Sequence, residues 1–188
     1  MRRSRIAALV ALGFALVLCT PALAAAQPGV GQEAGSPPRL SWAVTRATLT
    51  DLLLEPGPFD NAQGVALMFG YRSSTFVLNV SGVDPAVAGK SFGAHLHRDA
   101  CIATDGQLAG GLHYNITAIN GLPPTEISDR TEVWLDFVVD HDGSGHATAR
   151  VPWVPVAGEH AIVIHQDPTD STTGKAGMRE ACLPLTVH

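Results

Sequence analysis

Four histidines stand where the chain's patterning can bring their ring nitrogens together: His95 and His97 in Gly93-Ala94-His95-Leu96-His97, His113 in Gly110-Gly111-Leu112-His113, and His165 closing Ile162-Val163-Ile164-His165. Successive side chains of an extended strand alternate faces, so His95 and His97 point one way while Ala94 and Leu96 point into a core. Two imidazoles then converge on one ion. Ile162 and Ile164 share one face of the third segment, which leaves His165 on the opposite face as a further ligand. An all-imidazole set suits copper or zinc better than calcium or magnesium.

Elements that could position such a set follow from the hydrophobic pattern. Short runs of alternating or continuous apolar residues predict strands at 43–49, 64–69, 75–80, 92–97, 132–139, 146–153, 160–165 and 183–187. Turn chemistry separates them, as in Glu55-Pro56-Gly57-Pro58, Val83-Asp84-Pro85 and Asp140-His141-Asp142-Gly143. No stretch sustains a helical period and no internal repeat is visible. The expected fold class is therefore all-β, an antiparallel sandwich or Greek-key barrel.

The first 26 residues read as a secretory signal: Arg2, Arg3 and Arg5, an apolar run from Ile6 to Leu18 too short to span a bilayer, and small residues around Ala22-Leu23-Ala24. Residues 27–39, rich in Gly, Pro and Ser, form a flexible linker, and 40–188 form one β domain. The chain is expected to be exported to a periplasmic, cell-envelope or extracellular location, with no stable membrane span.

Removal of the leader takes Cys19 with it and leaves Cys101 and Cys182, an even pair in an oxidising compartment. One disulfide is the natural reading, with two free buried thiols as the alternative. Export also deepens the formal charge: without Arg2, Arg3 and Arg5, nine basic residues face 17 acidic ones, which moves −5 to −8. Such a chain offers no broad basic surface to nucleic acid. Its substrate must be small, neutral or drawn by a local positive feature, and its oligomeric state is left open.

At these motifs the chain resembles the copper-zinc superoxide dismutase family. Gly93-Ala94-His95-Leu96-His97 is similar to the family's Gly-x-His-x-His strand, Ala109-Gly110-Gly111-Leu112-His113-Tyr114-Asn115 to its Ala-Gly-x-His-Phe-Asn segment, and Ile162-Val163-Ile164-His165 to its Ile-Val-Ile-His strand. Thr173-Gly174-Lys175-Ala176-Gly177-Met178-Arg179-Glu180-Ala181-Cys182 resembles its Thr-Gly-Asn-Ala-Gly-Ser-Arg-Leu-Ala-Cys segment. The matches run in the family's order. The resemblance implies a Greek-key domain in which His95, His97 and His165 bind copper and His113 stands where the family's histidine bridges copper and zinc and carries a proton. It implies that Arg179 receives the superoxide anion, and that Cys182, bridged to Cys101, holds that region.

The zinc half departs from the family. Counting on from His113, the positions of the remaining zinc ligands fall near Gly121, Arg130 and Val133, none of which ligates zinc in the usual way. The segment from His165 to Arg179 is also shorter than the family's charged loop, which would leave copper more open to solvent. Both departures resemble the copper-only members, so zinc is not expected. Something else must then orient the second nitrogen of His113. Glu132, Asp129 and Glu126 are the candidates, with the count favouring Glu132. Tyr114 and Asn115 read as structural, and His141, His146, His160 and His188 have no assigned role. The expected function is an exported copper-dependent superoxide dismutase. A copper-binding or copper-buffering protein on the same scaffold is the alternative, and Arg179 is the residue that discriminates them.

Overall fold

The computed structural model describes residues 39–102, 106–122 and 126–188; the signal segment, Cys19 and nearly all of the 27–39 linker lie outside the described residues. Among the described residues there are nine strands: β1 (Ser41–Thr48), β2 (Thr50–Asp51), β3 (Gln63–Gly70), β4 (Ser74–Ser81), β5 (Ser91–His97), β6 (Phe137–Val138), β7 (Gly145–Val151), β8 (Gly158–His165) and β9 (Arg179–Val187). A short α-helix, α1 (Ile116–Ile119), is capped by the Asn115 side chain, which accepts from Thr117 N–H and Ala118 N–H.

All pairings are antiparallel, and the strands form two sheets: β1-β3-β4-β7, and β2-β9-β8-β5-β6. Strands β3 and β4 alternate buried and exposed residues along their length, as one-sided burial requires. The apolar sides of the two sheets face each other. Phe92, Ala94, Leu96, Ile162, Ile164 and Leu183 from the five-stranded sheet enclose one core with residues such as Met68, Phe76 and Leu78 of the four-stranded sheet. Two backbone hydrogen bonds between Trp42 and His188 also join β1 to the end of β9.

Strands β5 and β8 are buried on both faces, because loops cover their outer side. One covering segment comprises residues 98–102, 106–122 and 126–136, and the other residues 166–178. Beneath the first lies a smaller apolar group of Leu52, Ala109, Ala161, Val163 and Cys182, with Cys101 against it. Cys101 and Cys182 are disulfide-bonded, Cα to Cα 5.9 Å across a sequence separation of 81.

The expected strand at 132–139 is not continuous; only Phe137 and Val138 pair as β6. Residues 133–135 still run along the edge of β5, with Leu135 N–H bonded to the Ala94 carbonyl and Leu96 N–H to that of Val133. The ladder breaks at Asp136, whose carboxylate takes the Ala94 N–H that a backbone carbonyl would accept in a regular pair.

Candidate metal centre

The His-x-His alternation places His95 and His97 on the outer face of β5, with Ala94 and Leu96 in the core beneath. On the adjacent strand His95 is paired with Val163, and Gly93 with His165, which puts His165 beside the pair. A register irregularity follows Ile164, so that His165 pairs with Arg179. His113 reaches the group along the edge of β5 opposite β8, beyond residues 133–135: Arg98 N–H bonds the Leu112 carbonyl, Tyr114 N–H bonds that of Leu96, and His97 and His113 form an isolated bridge. The two preceding glycines permit this approach. Gly110 and Gly111 both take positive φ, 78° and 68°, and a side chain at Gly110 would press on the His97 ring.

One ligand atom from each of His95, His97, His113 and His165 lies within 4.8 Å of every other. Three of the residues are buried and His113 is half-buried. The hydrogen bonds on the far sides of the rings decide which nitrogen each one offers. His97 Nδ1 faces the Gly111 carbonyl at 3.0 Å and His165 Nδ1 faces the Gly177 carbonyl at 3.4 Å. A carbonyl only accepts, so both Nδ1 atoms carry the proton and both Nε2 atoms are bare lone pairs. Those lone pairs stand 3.3 Å apart.

His113 Nδ1 donates to Glu132 Oε2 at 2.9 Å, which leaves its Nε2 bare. His95 is turned the other way. Its Nε2 donates to Thr169 Oγ1 at 2.7 Å, because the threonine hydroxyl is itself spent on Asp136 Oδ1 at 2.6 Å. His95 Nδ1 is left buried without a hydrogen-bond partner. Four imidazole lone pairs thus converge with no proton among them to share, an arrangement that is repulsive alone and is resolved by a cation at its centre. The donor chemistry fits copper, with zinc also within its range.

The electrostatics agree with that donor state. Burial holds His95 and His97 well below the ordinary imidazole value, and the neighbouring rings, His113 foremost, add to it. Burial, reinforced by His113, pushes His165 down to about 4. For Glu132, burial opposes ionisation, but hydrogen bonds from His113, Asn115 and Trp134 outweigh it and hold the carboxyl below its usual range.

Of the three acids weighed for His113, Glu132 is the one in contact; Asp129 and Glu126 are exposed. Its other oxygen accepts from Asn115 Nδ2 at 3.0 Å, and Trp134 Nε1 donates to Oε2 at 3.0 Å. Asn115 therefore both caps α1 and steadies Glu132. Tyr114 is fully buried, its hydroxyl accepting from Val156 N–H at 2.9 Å. Where zinc ligands would be counted, Gly121 and Arg130 are exposed and Val133 is in the core.

Arg179 lies at the mouth of the centre. Its Nη1 and Nη2 donate to the Ala109 and Gly111 carbonyls, each at 2.6 Å. Since the Gly111 carbonyl also receives His97 Nδ1, a single oxygen separates the guanidinium from a ring of the cluster. His113, His165, Lys175 and Arg179 help line a cavity of about 650 Å³ between the two covering loops. His160, outside the cluster, sets its two nitrogens against the Arg98 and Val156 carbonyls, and His141, His146 and His188 are exposed.

Thr169 and Asp136 are the site residues that strand patterning does not find. Neither belongs to a histidine motif, and they meet only because the 166–178 loop folds back over the end of β5. Thr169 N–H also bonds Asp136 Oδ2 at 2.7 Å, so backbone and side chain together hold the pair.

Among solved structures, that of the clock protein EA4 has the same fold, with a TM-score of 0.54 and 16% identity over 81% of this chain and 96% of that one. At that identity the likeness concerns the fold alone. No protein-family model matches the chain, and no curated protein sequence matches it.

Proposed function

We propose that the four-histidine centre holds one copper ion and that the chain is an exported copper-dependent superoxide dismutase. The observation that carries the metal is the orphaned, fully buried Nδ1 of His95 among three further bare imidazole nitrogens. Zinc is not part of the proposal, because the second nitrogen of His113 is engaged by Glu132. The reading extends to the Greek-key barrel of the resembled family, supported by the bonds that join β1 to β9.

Copper, when bound, supplies the one-electron chemistry by which one superoxide leaves as dioxygen and a second, with two protons, leaves as hydrogen peroxide. The chain's residues supply the rest. Two carbonyls hold the Arg179 guanidinium at the cavity mouth, so an anion meets a fixed cation that needs no reorganisation. Glu132 holds the Nδ1 proton of His113, which keeps Nε2 turned toward the cluster. His113 is the most exposed of the four rings and lines the cavity.

The donor set alone better backs the alternative of a copper-binding or copper-buffering protein, which would need every histidine and no cation at the mouth. The test is metal analysis together with stopped-flow superoxide decay on copper-matched samples. Arg179→Ala should leave copper content nearly unchanged while slowing decay about tenfold or more, a loss of roughly 1.4 kcal/mol of transition-state stabilisation. Equal rates for wild type and variant would remove the dismutase reading and leave the copper-buffering one.

A further inference from the structure

The outer face of the four-stranded sheet, on the far side of the core from the histidines, is apolar where a solvated sheet face should be polar. On the β1–β3 pair, Trp42 is partnered with Phe69 and Val44 with Leu67, and Leu40 and Tyr71 are exposed immediately beyond the adjoining ends of the two strands. These six side chains are 42% to 65% exposed. A whole aromatic side chain offers about 150–250 Å², so three of them at about half exposure, with three aliphatic neighbours, bring the strip within the range of the largest apolar patch on a monomer, about 300–600 Å².

Its charge is equally distinctive. The chain carries 17 acidic residues and a net charge of −5, yet β1, β3, β4 and β7 contain no Asp or Glu. Arginines border the strip instead. Arg46 follows Val44 on the same face, Arg150 stands in the row of Phe69 and Thr75, and Arg72 lies 5.9 Å from the Tyr71 ring centroid in the β3–β4 turn.

We infer that this face docks on an anionic phospholipid bilayer. Aromatic and aliphatic side chains flanked by arginines match a membrane interface, where the rings settle at headgroup depth and the guanidinium groups meet phosphates. An acidic polymer would satisfy the arginines but offer no apolar phase to the strip. A second copy would cover the strip but bring a cationic rim against a cationic rim. The metal centre, on the opposite side of the sandwich, stays open to water.

The full chain is mixed with vesicles of brominated phosphatidylglycerol and phosphatidylcholine while tryptophan emission is followed. The leader contains no tryptophan, so anchoring by the leader alone leaves the signal unchanged and counts against the docking. The expected result is loss of roughly a third of the emission, as Trp42 is one of three tryptophans. Trp42→Phe should abolish the quenching. Arg46→Gln with Arg150→Gln, both on the surface, should raise the lipid needed roughly thirtyfold. The docking is overturned if anionic vesicles do not quench Trp42, if neutral phosphatidylcholine vesicles quench it equally, or if the strip is instead occluded in a dimer that forms without lipid.

Discussion

At the residue scale, the centre depends on which nitrogen each histidine presents, and that choice is made by atoms outside the cluster. His95 offers Nδ1 because Thr169 and Asp136 occupy its Nε2 side, whereas His97 and His165 offer Nε2 because backbone carbonyls hold Nδ1. Partners of this kind commonly account for about 10–100-fold in metal affinity. Thr169→Val keeps the shape of the side chain and removes the acceptor for His95 Nε2. It should weaken copper binding by about that factor, as measured by competition with a chelator of known affinity, and an unchanged affinity would show that packing alone orients the ring.

At the scale of elements, two loops close the outer side of β5 and β8, and the Cys101–Cys182 bridge ties one of them to β9. The bridge closes a loop of 81 residues, for which the chain-entropy account gives roughly 4 kcal/mol. Cys101→Ser with Cys182→Ser should therefore lower the urea midpoint by an amount corresponding to about 2–5 kcal/mol. Since Arg179 and Glu180 immediately precede Ala181 and Cys182 on β9, loss of the bridge should also loosen the guanidinium. Superoxide decay should fall further than copper content in that variant.

At the scale of the whole molecule, three buried rings with depressed proton affinity make the metal-free fold acid-sensitive. An unfolded histidine binds its proton near pH 6.5, whereas folded His165 does so only near 4. The unfolded state thus takes up more protons as pH falls from about 6.5 to 4, and the stability present above that window is lost through it. His165 alone should cost about 2 kcal/mol between pH 7 and 5, and His95 and His97 act in the same direction. Denaturant titration of the metal-free protein at the two pH values measures the effect. A midpoint that does not fall at pH 5 would contradict the buried, neutral state of the rings.

The sequence by itself determined the features that rest on local period and residue chemistry. The all-β class, seven of the eight expected strand positions and the sidedness of His95, His97 and His165 follow from alternation, because a side chain's face is settled by its place along its own strand. The Cys101–Cys182 bond is the single disulfide expected from the sequence. Tertiary structure alone decided what depends on partners distant in sequence. Thr169 reaches His95 across 74 residues and Asp136 reaches Thr169 across 33, contacts that no local pattern encodes. The break in the 132–139 strand has the same origin, for a carboxylate replaces a carbonyl in the ladder. Glu132 was one of three candidate acids in the sequence, favoured there only by the count. Only the course of residues 133–135 along the β5 edge, beside the segment that carries His113, makes it the one that holds the ring.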